Sequence, residues 1–299
     1  GSLLFASEIK ALLGVTGVST HMDAKAISDY LVYRYVPGPS TFFSEIWKLP
    51  PGSFAFFEKG QLRIKRYYYP PDRLAFVPGQ ISEDPSTAFL RQLEEAVRIR
   101  MVSDVPFGAF LSGGIDSSAV VGLMSRYSGL PIKTFSVGFR EYSELQYART
   151  VATHFGTEHH ELLVTENDII DQLPKLVRFR DAPISEPADI PIYLLSVEAR
   201  RTVKMVLTGE GSDEVLGGYP KHKFEHVFLP PYQMIPGFVR RQLIEPLLSA
   251  LPGKYSRIKT AASCLAIADP KERFPRWFGA FTSEDSRKLL RQNFWGSTQ

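Results

Sequence analysis

Two rhythms of apolar residues run along the chain. Up to about Gln80 they come in short runs: Gly52 to Phe57 and Leu62 to Tyr69 read as β-strands, separated by turn signals at Pro37-Gly38-Pro39, Pro50-Pro51-Gly52 and Glu58-Lys59-Gly60. Asp23 to Tyr35 has a helical period with Asp23 as N-cap. Two or three strands make a poor sheet alone, so this part is expected to be the tail of a larger β-rich domain. Pro70, Pro71, Pro78, Gly79 and Pro85 punctuate a connector, after which Ser86 to Met101 repeats its apolar residues at helical spacing, with Ser86 or Thr87 as cap.

From Val105 the rhythm becomes strand, loop, helix, repeated. Strands are expected at 105–111, 132–139, 159–165 and 204–208, and helices at 119–127, 145–154, 166–177 and 193–202. The strands are apolar and the helices amphipathic, the pattern of a parallel sheet covered on both faces through right-handed crossovers. The expected fold is α/β, a doubly wound parallel sheet preceded by a β-rich remnant, with domains at 1–80 and 81–299. Past Tyr219 the pattern is helical and interrupted by prolines.

Composition narrows the class. The 299 residues are 44% hydrophobic and 22% charged, ordinary for a globular chain. A net charge of +3, spread along the sequence, disfavours nucleic acid as a partner. No apolar run reaches the length that spans a bilayer, so no membrane partner is expected. The one cysteine, Cys264, rules out an internal disulfide and a Cys/His zinc cluster and fits a cytoplasmic protein; set among helical apolar neighbours, it reads as a buried small residue. His159 and His160 are adjacent on a strand and point to opposite faces, so they do not form a zinc pair. Tyr67, Tyr68 and Tyr69 read as sheet and contact packing and not as a base-stacking platform.

The chemistry concentrates in two loops at strand ends, where ligands of such sheets bind. In Ser112-Gly113-Gly114-Ile115-Asp116-Ser117-Ser118 the glycines let successive N–H groups point into one concavity, and Ser117 and Ser118 would open the next helix with hydroxyls at its positive end. That is an anion nest suited to phosphate or pyrophosphate. It is neither a Walker loop nor a Rossmann fingerprint. Asp116 would repel phosphate directly and makes sense as a Mg2+ ligand; the loop 208–214 supplies a second carboxylate, with Asp213 the natural candidate and Glu210 and Glu214 alongside. Taken alone, a Ser-Gly-Gly after a strand is usually a turn. Its coincidence with the second loop inside an α/β pattern favours a nucleotide.

Residues 112–118 carry the signature of the ATP pyrophosphatases. Together with "TFSVGF", "GTEHHE" and "VLTGEGSDEVLGGY", the chain resembles the synthetase half of the glutamine-dependent asparagine synthetase family, and its opening resembles the tail of that family's glutaminase domain. The resemblance implies a PP-loop, adenine-nucleotide α-hydrolase-like fold. It implies that ATP activates a carboxylate, the aspartate side chain in the type reaction, as an acyl-adenylate with release of pyrophosphate, and that ammonia from glutamine then forms the amide. Leu111, Val137, Thr208 and Gly209 would line the adenosine site. Ser112, Gly113, Gly114, Ser117 and Ser118 would cradle pyrophosphate, Asp116 and Asp213 would hold Mg2+, and Glu210 would act on the adenylate. Small-molecule substrates are the partners so implied, and homodimerisation is left open.

Several features depart from the family. The N-terminal cysteine needed for glutamine hydrolysis is not in the chain, whose Gly1-Ser2 start reads as a cloning remnant and which reads as the middle of a longer frame. The glutamate of the family's D-E-P loop is Ala182 here, so another carboxylate remains an alternative acceptor. A catalytically incomplete ATP-binding or regulatory domain is the further alternative.

Overall fold

The computed structural model describes residues 2–69, 83–139, 144–252, 255–281, 286 and 288–290. They fall into two compact units, Gly1–Asp72 with Tyr219–Gln299 in one and Arg73–Gly218 in the other.

The first unit begins with α1 (Ile9–Leu13) and α2 (Ala24–Tyr33). Asp23 caps α2 as expected, accepting the Lys25 N–H at 2.8 Å. Strands β1 (Ser53–Glu58) and β2 (Gln61–Arg66) form an antiparallel hairpin. Its two-residue turn, Lys59 and Gly60, has φ of 51° and 79°, which matches the twist of the flanking strands. The second strand stops short of Tyr69. Tyr67 and Tyr68 donate their N–H groups to the Gly52 carbonyl, and the three tyrosines are exposed, Tyr67 stacking on Phe54 and Tyr69 lying under the Arg66 guanidinium. The connector expected at 70–80 lies outside the described residues.

The second unit starts at α3 (Pro85–Arg100). Its cap is Asp84 and not Ser86 or Thr87: the Asp84 carboxylate accepts the backbone N–H groups of both, each at 3.1 Å. Pro85 belongs to the helix as its first residue, where a missing N–H costs nothing. There follow β3 (Phe107–Phe110), α4 (Ile115–Tyr127), β4 (Lys133–Phe139), α5 (Leu145–Phe155), β5 (Glu158–Val164), α6 (Glu166–Arg180), α7 (Asp189–Ala199), β6 (Met205–Leu207) and α8 (Ser212–Leu216). The four strands are parallel in the order β5-β4-β3-β6.

Alternation along the strands builds a core on each face. Phe107, Ala109, Leu111, Met205 and Leu207 pack with α3, α4 and α5 through Val97, Val121, Met124 and Ala148. Phe110, Phe135, Val137, Leu162 and Val206 face α7 through Leu195 and Ala199. The doubly wound α/β fold is therefore present. The chain moves outward from β3 to β5 and returns to β6 on the other flank of β3, which puts the switch point between β3 and β6.

The histidine pair divides as the strand period requires. His159 Nδ1 lies 2.8 Å from Thr134 Oγ1, while the His160 ring stacks on Phe135. Burial lowers the His159 pKa against the opposing pull of Glu161.

After residue 218 the first unit resumes with α9 (Pro220–Met234), α10 (Gly237–Val239), a π-helical turn (Arg240–Ile244), α11 (Glu245–Ser249), α12 (Ser256–Leu265) and α13 (Pro270–Phe278). The helical pattern is as expected, but prolines 230, 231 and 275 sit inside α9 and α13 and do not interrupt them. Arg273 is buried: Nε donates to Glu225 at 2.8 Å and Nη1 to the carbonyls of Ile267 and Ala268, while Trp277 Nε1 donates to the other Glu225 oxygen at 2.6 Å. Cys264 is fully buried, and burial pushes its thiol pKa up, the opposite of what a nucleophile needs. Among the described residues no helix is long and apolar enough to cross a membrane.

Candidate functional site: two loops at the switch point

Both loops leave the carboxyl ends of adjacent strands. Ala109 on β3 is in register with Leu207 on β6, and the chain runs from these positions into Ser112 and Gly209. A Cβ added to Gly209 would come within 2.7 Å of the Ser117 nitrogen and 2.9 Å of Asp116 Cβ and its carbonyl carbon. The second loop therefore lies directly on the backbone of the first, with glycine the only residue that fits.

The first loop is shaped by its own residues. Gly113 has φ +80°, and a Cβ there would stand 2.6 Å from the backbone of Tyr147 and Ala148 on α5. The residue therefore meets two separate demands for glycine. Helix α4 opens at Ile115, two residues before the serines expected to start it, because Gly114 is already extended at φ −70°, ψ 164° and serves as its N-cap. Gly114 gives the first N–H groups of α4, at the positive end of the helix, no side-chain cap. Ser117 falls inside the first turn and is buried; the Ser118 hydroxyl is buried with no hydrogen-bond partner among the described residues.

The other candidates are placed as follows. Leu111 belongs to the α4-face core; its N–H bonds the Phe135 carbonyl at 2.9 Å, and its carbonyl accepts the Ser136 hydroxyl. Val137 is on β4 and packs on the opposite face, toward α7. Thr208 and Glu210 are exposed, the Glu210 N–H reaching Thr208 Oγ1 at 3.4 Å. Asp213 is half-buried in α8 and packs on Gly218, where any Cβ would overlap its Oδ1. Contacts thus join Gly209 to Asp116 and Ser117 and join Asp213 to Gly218.

Three features escaped the sequence reading. Ser136, a polar residue inside an apolar strand, anchors the end of β3. The α5 backbone at Tyr147 and Ala148 walls the first loop. Asp189, the first residue of α7, is buried, with Oδ1 taking the Arg180 guanidinium at 2.6 Å and Oδ2 without a partner among the described residues. An aspartate heading an apolar helix was the available signal for the last. Ala182 follows Asp181, which ends α6 in the left-handed conformation at φ 52°.

Residues 88–293, more than half of the chain, match the family model described as asparagine synthase. The chain belongs to the asparagine synthase family. Residues 1–68 match the glutamine amidotransferase domain. Among curated proteins, the chain is 34% identical over 269 residues to asparagine synthetase (glutamine-hydrolyzing) 1 of Bacillus subtilis, covering 89% of this chain and 42% of that one. It is 36% identical over 268 residues to a putative asparagine synthetase of Mycobacterium bovis, covering 85% and 40%. The chain of this asparagine synthase family member thus spans well under half the length of those relatives. Among solved structures it resembles the NMN synthetase of Francisella tularensis at 16% identity and a TM-score of 0.36, covering 70% of this chain and 99% of that one, too distant to bear on function.

Proposed function

We propose that this chain carries the synthetase site of an ATP-dependent, amide-forming ligase that activates a carboxylate, in the first instance the aspartate side chain, as acyl-AMP. A carboxylate oxygen attacks the α-phosphorus and the bond to the β-phosphate breaks, releasing pyrophosphate. Ammonia derived from glutamine then attacks the acyl carbon, AMP leaves with the bonding pair, and the nitrogen gives up a proton. The observation that carries this reading is the seating of Gly209 on Asp116 and Ser117, which brings together two loops far apart in sequence.

The residues fit the anion. The start of α4 carries no side-chain cap, and Ser112, Gly113, Gly114, Ser117 and Ser118 are assigned to pyrophosphate together with it. Leu111, Val137, Thr208 and Gly209 are assigned to adenosine, and Glu210 to the adenylate step. Preorganised N–H groups favour the charge that gathers on the departing pyrophosphate, the usual source of rate in phosphoryl chemistry. Among the described residues no three His, Cys, Asp or Glu side chains cluster, so an ion held by Asp116 and Asp213 would complete its shell with phosphate oxygens and water, as Mg2+ does, and would neutralise phosphate charge. The thiol for glutamine hydrolysis is not supplied here, since Cys264 is buried. The same proposal takes 1–80 as the tail of a glutaminase domain and 81–299 as the synthetase domain, in a cytoplasmic enzyme.

Exchange of labelled pyrophosphate into ATP in the presence of Mg2+ tests the reading. Exchange that depends on aspartate supports it in full. Exchange driven by another acid keeps the chemistry and moves the acceptor, the second reading that Ala182 favours. Formation of ADP and phosphate overturns it.

A further inference from the structure

We propose that Ser117 is a positioning residue of the anion loop and not one of its ligands; the proposal rests on the nucleotide reading above and revises one residue of it. The Ser117 side chain has its hydrogen-bonding capacity filled from within the loop. Its Oγ accepts the Ser112 N–H at 3.2 Å, lies 3.0 Å from Ser112 Oγ and donates to the Gly114 carbonyl at 3.3 Å. A hydroxyl has one proton and two lone pairs, so these three contacts exhaust it. With the Ser117 proton on the Gly114 carbonyl, the contact between the hydroxyls must use the Ser112 proton. Ser112 Oγ in turn accepts the Gly114 N–H at 3.2 Å.

The result is a closed ring: Gly114 N–H to Ser112, Ser112 to Ser117, and Ser117 back to the Gly114 carbonyl. Each bond polarises the next, so the ring acts as a unit. It ties the turn to the first turn of α4. Ser117 is buried at 7% exposure, whereas Ser112 is exposed, so the ring has an inner and an outer hydroxyl. The backbone nitrogen of Ser117 is also the atom closest to the Cβ that Gly209 lacks. Ser117 thus fixes the first loop through its side chain and seats the second through its backbone, while the N–H groups at the uncapped start of α4 remain to meet an anion.

The test uses the intact chain and the variants Ser117→Ala, Ser112→Ala, Ser117→Thr and the double alanine. In nucleotide-free protein, amide hydrogen exchange at Ser112 is expected to quicken about tenfold in Ser117→Ala, because a lost partner inside a buried ring costs on that scale. In pyrophosphate exchange the two alanine changes are expected to be non-additive, the double variant losing no more than Ser117→Ala, because either breaks the same ring. Ser117→Thr, which keeps the hydroxyl, is expected to restore both readouts. Unchanged Ser112 amide exchange in Ser117→Ala overturns the proposal, as do losses that multiply as for two independent phosphate ligands. Should Ser117→Ala not fold, Ser112→Ala breaks the ring from its exposed side and must quicken exchange at the Gly114 amide. Absence of pyrophosphate exchange in the unaltered chain counts against the nucleotide reading alone, because the amide measurement needs no nucleotide.

Discussion

Gly209 lies against the backbone nitrogen of Ser117 so closely that a methyl group at 209 would stand 2.7 Å from it. The obstruction is main chain on both sides, so no rotamer change relieves it. Gly209→Ala is expected to part the two loops and lower pyrophosphate exchange about a hundredfold, as misplacement of a reacting site does. Circular dichroism should show the fold retained. Wild-type exchange from a folded Gly209→Ala variant would refute a shared site.

Asp116 and Asp213 are expected to act through a cation. Asp116→Asn and Asp213→Asn should each reduce exchange about a hundredfold or more and shift the Mg2+ dependence to higher concentration, while metal-free nucleotide binding, followed by fluorescence of a labelled ATP, persists. An unchanged Mg2+ titration in either variant removes that residue from the metal site.

Stability in the other unit is expected to hinge on Arg273. Its guanidinium neutralises Glu225 and satisfies two carbonyls in a buried position. Arg273→Met would leave the Glu225 carboxylate held by Trp277 alone, at a cost of about 3 kcal/mol. Trp277→Phe, which removes one hydrogen bond, should cost about 1 kcal/mol. Urea midpoints of the two variants check the ranking.

His159 predicts the direction of one pH effect. Burial lowers its pKa in the folded chain, so the unfolded chain binds the proton more readily. Its contribution is full above the unfolded value of about 6.5 and is lost as pH falls through the folded value. Urea midpoints should drop from pH 7.5 to pH 5, and the drop should shrink in His159→Gln. Glu161, lowered chiefly by its hydrogen bonds to Arg149, contributes to losses further into acid. An equal drop in both proteins would remove His159 as the cause.

What the sequence revealed and what it hid have separate physical causes. Strand and helix order was legible from 105 to 208 because a sheet covered on both faces demands continuous apolar strands, and Ala109, Phe135 and Leu207 obey that demand. The start of α4 was misjudged because the loop enters its helix through the extended Gly114 and not through a serine cap. Asp84 was passed over for Ser86 and Thr87, since all three are good capping residues and only the turn geometry chooses between them. The loops were recognisable as a pair by their residue types, but the contact of Gly209 with Ser117 depends on β6 lying beside β3, which no local pattern encodes. Asp189 stayed hidden for a similar reason: its partner Arg180 belongs to a different helix.

The return of β6 to the flank of β3 also bears on how the chain folds. Local hairpin and helix contacts can form early, but the pairing of β3 with β6 must close a loop holding β4, β5 and four helices, and the entropy of that closure falls on the last strand. A ligand that gripped both loops would bridge the two strands whose pairing closes this long loop. Mg-ATP would therefore act as a fastener for the finished topology, raising the resistance of β6 to local opening by mass action. The same geometry that makes the site would make its occupant a folding reporter.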